Sequence, residues 1–69
     1  MGAAEALGSS EGVSLHDLRP LVGARVAAET VGGAIEGTLL SCTARSAWIV
    51  VDDLDHVVPL PHLFTIRRR

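Results

Sequence analysis

Gly32-Gly33 separates two runs of the chain, residues 24–31 and 34–43, in which apolar residues recur at every second position. A period of two puts successive side chains on opposite faces of a strand. Two glycines between such runs fit a two-residue hairpin, because both turn positions then take positive φ at little steric cost. A chain built around this hairpin is mostly β. Pairing Val31 with Ala34 across the turn sets the expected register. Val26, Ala28, Thr30, Ile35, Gly37 and Leu39 then share the core face. Arg25, Ala27, Glu29, Glu36, Thr38 and Leu40 share the other. The same register sets Glu29 opposite Glu36. Like charges there are unfavourable without an arginine, a cation, a bulge or full solvation beside them.

The rest of the chain supplies a short helix and three more strands. Residues 1–12 (MGAAEALGSSEG) are small and rich in Gly, Ser and Ala, and are expected to form a flexible N-terminal arm. Ser14 with Asp17 three residues on resembles a capping box and opens a helix. Leu15, Leu18, Leu21 and Val22 fall on one face of it, Pro20 limits it to two turns, and Gly23 ends it. Arg45-Ser46 is a turn. Residues 47–51 are apolar on both faces, so the strand they form needs cover from the helix or from another subunit. Asp52-Asp53-Leu54-Asp55 is expected to be a turn. Residues 56–60 form a fourth strand ended by Pro59 and Pro61, residues 61–63 one turn of 3₁₀ helix, and residues 64–67 the last strand.

Sixty-nine residues allow one domain, assigned to residues 13–69. A chain of this size buries only about 60% of its unfolded surface, so self-association helps it. Apolar residues make up 48% of the chain and charged residues 20%, a globular balance. The single cysteine, Cys42, excludes an intrachain disulfide. The longest strongly apolar run, residues 47–51, is far too short to cross a bilayer, and no signal-peptide pattern opens the chain. The expected setting is cytoplasmic, or within a phage particle or another intracellular assembly, with no membrane partner.

A short N-terminal helix, a strongly bent five-stranded sheet and a 3₁₀ turn before the last strand resemble the Sm-like small β-barrel. The residues that carry the resemblance are Leu21-Val22-Gly23-Ala24-Arg25-Val26, Gly33-Ala34-Ile35-Glu36-Gly37-Thr38-Leu39 and Val57-Val58-Pro59-Leu60 with Ile66. The central segment is similar to the first Sm motif, Gly-x-hydrophobic-x-Gly-x-Leu. Gly37 suits it, because a strand that bends sharply needs a residue without a side chain at the bend. The resemblance implies a ring-like homo-oligomer in which the fourth strand of one subunit pairs with the fifth of the next, and a surface for single-stranded RNA or DNA. The loop Cys42-Thr43-Ala44-Arg45-Ser46 lacks the Asp and Asn with which that family holds a base, and Leu60-Pro61-His62-Leu63 stands where its second motif would be.

Candidate nucleic-acid contacts are therefore Arg45, Ser46, His62, Arg67, Arg68 and Arg69. All six basic residues of the chain are arginines, and half of them close it. Guanidinium groups fit phosphate oxygens. The formal net charge of −2 opposes a protein that grips nucleic acid with its whole surface. Candidate oligomer-interface residues are Trp48, Val50, Val57, Val58, Phe64 and Ile66. Trp48 also offers a face on which a base could stack. His16, His56 and His62 with Asp52, Asp53 and Asp55 match no metal-ligand spacing, so neither metal nor cofactor is expected. No nucleophile elbow or phosphate loop is present, and no catalysis is expected. The competing expectation is a structural protein-interaction subunit of a larger assembly, such as a phage particle or a multiprotein complex, without nucleic acid.

Overall fold

The computed structural model describes residues 13–69, so the N-terminal arm expected over residues 1–12 lies outside the described residues. The expected mostly β architecture is present. Helix α1, Leu15–Leu18, runs into a 3₁₀ turn, Arg19–Leu21, that holds Pro20 in its opening positions, and Arg19 before the proline keeps helical φ and ψ of −51° and −47°. Five strands follow: β1 Arg25–Thr30, β2 Gly33–Cys42, β3 Ser46–Val51, β4 Leu54–Pro59 and β5 Leu63–Arg68. A 3₁₀ turn at Leu60–His62 joins β4 to β5. The sheet is antiparallel throughout, in the order β4-β3-β2-β1-β5.

The sheet is not closed into a barrel, because β4 and β5 are its two ends and do not pair with each other. The turn between them is tied elsewhere. Leu60 N donates to Arg45 O at 2.8 Å, and Val31 N donates to His62 O at 2.9 Å. Pro59 and Pro61 bring no N–H to a ladder. Two bulges bend the sheet. Between Leu39 and Ser41 the β2–β3 register slips, leaving Leu40 as the extra residue, and between Thr65 and Leu63 the β1–β5 register slips around Phe64.

The hairpin differs from its expected register by two residues. Thr30 faces Gly33 and Glu29 faces Ala34, so the turn is Val31-Gly32, not Gly32-Gly33. The Thr30 side chain fixes it there. Its hydroxyl accepts from Gly32 N at 3.0 Å and donates to Gly33 O at 2.9 Å. Gly33, with φ of 119°, opens β2 in a conformation closed to other residues. A slip of two preserves the faces but separates the glutamates: Glu36 faces Ala27, and the expected Glu29–Glu36 opposition is absent. The acidic turn is also shorter than expected. Asp52 and Asp53 alone form it, at φ of 52° and 67°, and Leu54 and Asp55 already belong to β4.

Leu18, Val26, Ala28, Leu39, Ala47, Ile49 and Leu63 form the buried core. Leu18 brings α1 onto it, held by the capping box at Ser14 and Asp17. Gly37 lies where β3 crosses closest. A Cβ there would stand 2.9 Å from the Val50 carbonyl carbon and closer still to its oxygen. Ala47 and Ile49, on the core face of β3, are buried in the same cluster as Leu18. The other face of that strand, with Trp48 40% exposed, has no cover among the described residues.

Candidate functional site

The two ends of the sheet can be read group by group. Bonded and non-bonded pairs alternate along an antiparallel ladder. The bond from Leu60 to Arg45 makes Ala47–Val58, Ile49–His56 and Val51–Leu54 the bonded pairs of β3 and β4. Asp55, Val57 and Pro59 therefore turn their backbone groups to the open side, where Pro59 has only its carbonyl. On β5, Arg69 N donates to Arg25 O at 2.9 Å, so Arg67 and Thr65 also bond inward to Ala27 and Glu29. Ile66 and Arg68 turn their backbone groups outward. Among the described residues, two short edges with unpaired donors and acceptors thus bound the same sheet.

The six candidate interface residues divide by face. Trp48 lies directly opposite Val57 on the uncovered face, and Val57 is 61% exposed. Val50 is half-buried on that face, opposite Asp55. Val58 and Ile66 instead pack against the core from its margin. Phe64, thrown outward by its bulge, is 52% exposed. Leu40 adds a second bulged apolar side chain at 49% exposure. Neither bulge was anticipated from the sequence. The run Thr38-Leu39-Leu40-Ser41, with two adjacent leucines interrupting the alternation, is the signal that marks the first.

The six candidate nucleic-acid residues fall into two groups. Arg45 lies in the β2–β3 turn, beside Leu60, Ser46 already opens β3 and not the turn expected for it, and His62 closes the nearby 3₁₀ turn. Thr43 organises that loop, its hydroxyl accepting from Arg45 N and Ser46 N, both at 3.0 Å. Arg67, Arg68 and Arg69 lie at the far end of β5, about 20 Å of strand from His62. Two of those three arginines are engaged. Arg68 donates to Pro20 O at 3.1 Å, and Arg69 pairs with Glu36 at 2.5 Å across a solvent-exposed contact. Arg67 borders an open concavity of about 580 Å³, floored by Ala27 and Ala34 and rimmed by Glu29, Glu36 and Thr65. Both signs of charge meet there, so the concavity as a whole does not favour an anion.

Among the described residues no group of three or more His, Cys, Asp or Glu side chains could hold a metal ion, and no helix is long and apolar enough to cross a membrane. Fold and edges together define a small open β-sheet domain whose two ends have no strand partner among the described residues. No known protein family, curated protein or solved structure matches the chain.

Proposed function

We propose that the chain is a non-catalytic assembly module of Sm-like type, in which β4 of one copy joins β5 of the next to close a ring. The carrying observation is the pair of unpaired edges on one five-stranded sheet, flanked by the exposed apolar side chains Trp48, Val57 and Phe64. Edge pairing satisfies backbone groups that would otherwise invite uncontrolled association, and closure removes every edge. In this reading the ring carries single-stranded RNA or DNA on the turns that bear Arg45, Ser46 and His62, a surface repeated once per subunit. Light scattering at low and high salt, with and without a short mixed-sequence RNA, tests it. The expected result is an oligomer at both salts that gains mass with RNA at low salt only. A monomer throughout would sink the reading.

A second reading rests on the Trp48–Val57 surface. With Leu40 beside it and a net charge of −2 for the chain, it suits a protein partner better than a phosphate backbone. Here the module is a structural subunit of a larger assembly in a cytoplasmic setting. An oligomer indifferent to RNA at every salt concentration selects this reading over the first.

A further inference from the structure

The two edges carry opposite charge at the ends that antiparallel pairing would bring together. The acidic turn Asp52-Asp53 leads into Asp55 at the start of β4, and Arg67, Arg68 and Arg69 close β5. Antiparallel pairing of β4 with a neighbour's β5 sets the beginning of one against the end of the other, acid beside base. Parallel pairing would put the acidic turn beside Leu63 and leave the arginines near Pro59. The free backbone groups then fix the register. Asp55 and Val57 point outward from β4, and Ile66 and Arg68 point outward from β5. Both outward residues of β4 that carry an N–H, and both outward residues of β5, are satisfied in a single antiparallel register, with Asp55 opposite Arg68 and Val57 opposite Ile66. A slip of two residues either way leaves one residue of each strand unpaired or brings in Pro59, which has no donor.

From this register, which rests on the assembly proposed above, we infer that Asp55 of one copy and Arg68 of the next form a cross-strand ion pair that selects the orientation and register of the subunit junction. Directly opposed residues of an antiparallel pair put their side chains on the same face. Asp55 and Arg68 therefore meet side by side, and Val57 meets Ile66. Asp55 and Val57 belong to the uncovered face of their own sheet, with Trp48. Ile66 and Arg68 belong to the core face of theirs, aligned with Ala28 and Val26. The uncovered face of one copy thus continues into the core layer of the next, and Ile66 covers the exposed Val57. Arg68 keeps its bond to Pro20 O, because a guanidinium has five N–H donors and that bond uses one. The arginines at the chain end act, in this inference, on a second copy of the chain.

Charge exchange tests the pair. Asp55→Arg sets two arginines face to face at every junction, and Arg68→Asp sets two aspartates there. Each single variant is expected to raise the apparent Kd of assembly by about tenfold or more at low salt. The double variant Asp55→Arg/Arg68→Asp restores an opposed pair and is expected to regain wild-type mass in light scattering. The two single variants mixed in equal amounts are expected to regain mass that neither has alone, because each junction between unlike chains opposes an arginine to an aspartate. Should Arg68→Asp fail to fold, cross-linking supplies the second measurement. A chain with Asp55→Cys mixed with a chain carrying Arg68→Cys, both with Cys42→Ser, gives a mixed disulfide on oxidation, whereas either chain alone does not. A wild-type monomer overturns the assembly itself. A wild-type oligomer whose mass survives both single exchanges, or whose two cysteine chains do not cross-link, overturns the pair and leaves the assembly standing.

Discussion

Gly37 has the tightest surroundings among the described glycines. It lies mid-strand, where glycine costs backbone entropy and offers no side chain to a neighbour. The approach of the Val50 carbonyl explains it: any Cβ would overlap β3. Gly37→Ala therefore has to push the two strands apart. The expected loss is about 1–3 kcal/mol, as for other overpacked sites, read from the urea midpoint. Asp52 and Asp53 present the opposite case. Both hold left-handed φ, which aspartate tolerates and glycine adopts freely. Asp53→Gly creates the Asp-Gly sequence favoured in tight hairpins and is expected to stabilise the fold by a few tenths to about 1 kcal/mol in the same titration. An unchanged or lower midpoint would mean that the aspartate side chain makes an offsetting contact.

Helix α1 is one turn long, too short to persist without help. Its help is visible: Ser14 and Asp17 cap each other, and Leu18 is fully buried. Ser14→Ala is expected to cost about 1 kcal/mol. Leu18→Ala is expected to cost about 2–5 kcal/mol, because it opens the core beneath the helix. Thermal melts followed by circular dichroism separate the two, and equal effects would contradict this division of labour. The cap, the number of strands and the core alternation were all legible in the sequence, since each depends on residues close together in the chain; of the expected helix face, Leu18 is buried but Val22 lies beyond the helix and is exposed. The hairpin register was not. Gly32-Gly33 is an adequate turn by itself, and the competing Val31-Gly32 turn wins through the Thr30 hydroxyl, a side chain read only as part of the alternation. The start of β4 was hidden for a similar reason. An Asp-Asp-Leu-Asp run reads as loop on polarity, whereas the two-residue turn needs only its first two members. The candidate site was legible as residue types but not as edges. Which backbone groups stay unpaired depends on the parity of four ladders, which no local pattern carries.

At the scale of the whole molecule, a core of seven of the described residues, two of them alanine, supports a sheet whose two end strands have no partner among those residues. Small domains bury too little to be stable by a wide margin, and anything that binds only the folded form adds to their stability by mass action. Edge pairing is such a binding event, because the edges exist only in the folded sheet. If copies of the chain join through β4 and β5, folding and assembly are coupled, and the melting temperature must rise with protein concentration. A closed monomeric fold would melt at one temperature at every concentration. Val57→Lys separates this coupling from the intrinsic stability of the fold. Residue 57 is exposed on a single copy, so a lysine there costs the isolated fold little. At the proposed junction it faces Ile66, where an ammonium group loses water and gains no partner. The variant is expected to melt at a temperature independent of concentration, close to the wild type at its most dilute. Wild-type melts spanning about a hundredfold in concentration, repeated with Val57→Lys, give the comparison. Parallel concentration dependence in both proteins would place the junction elsewhere than β4. A flat wild-type series would show that one copy holds its sheet without a neighbour.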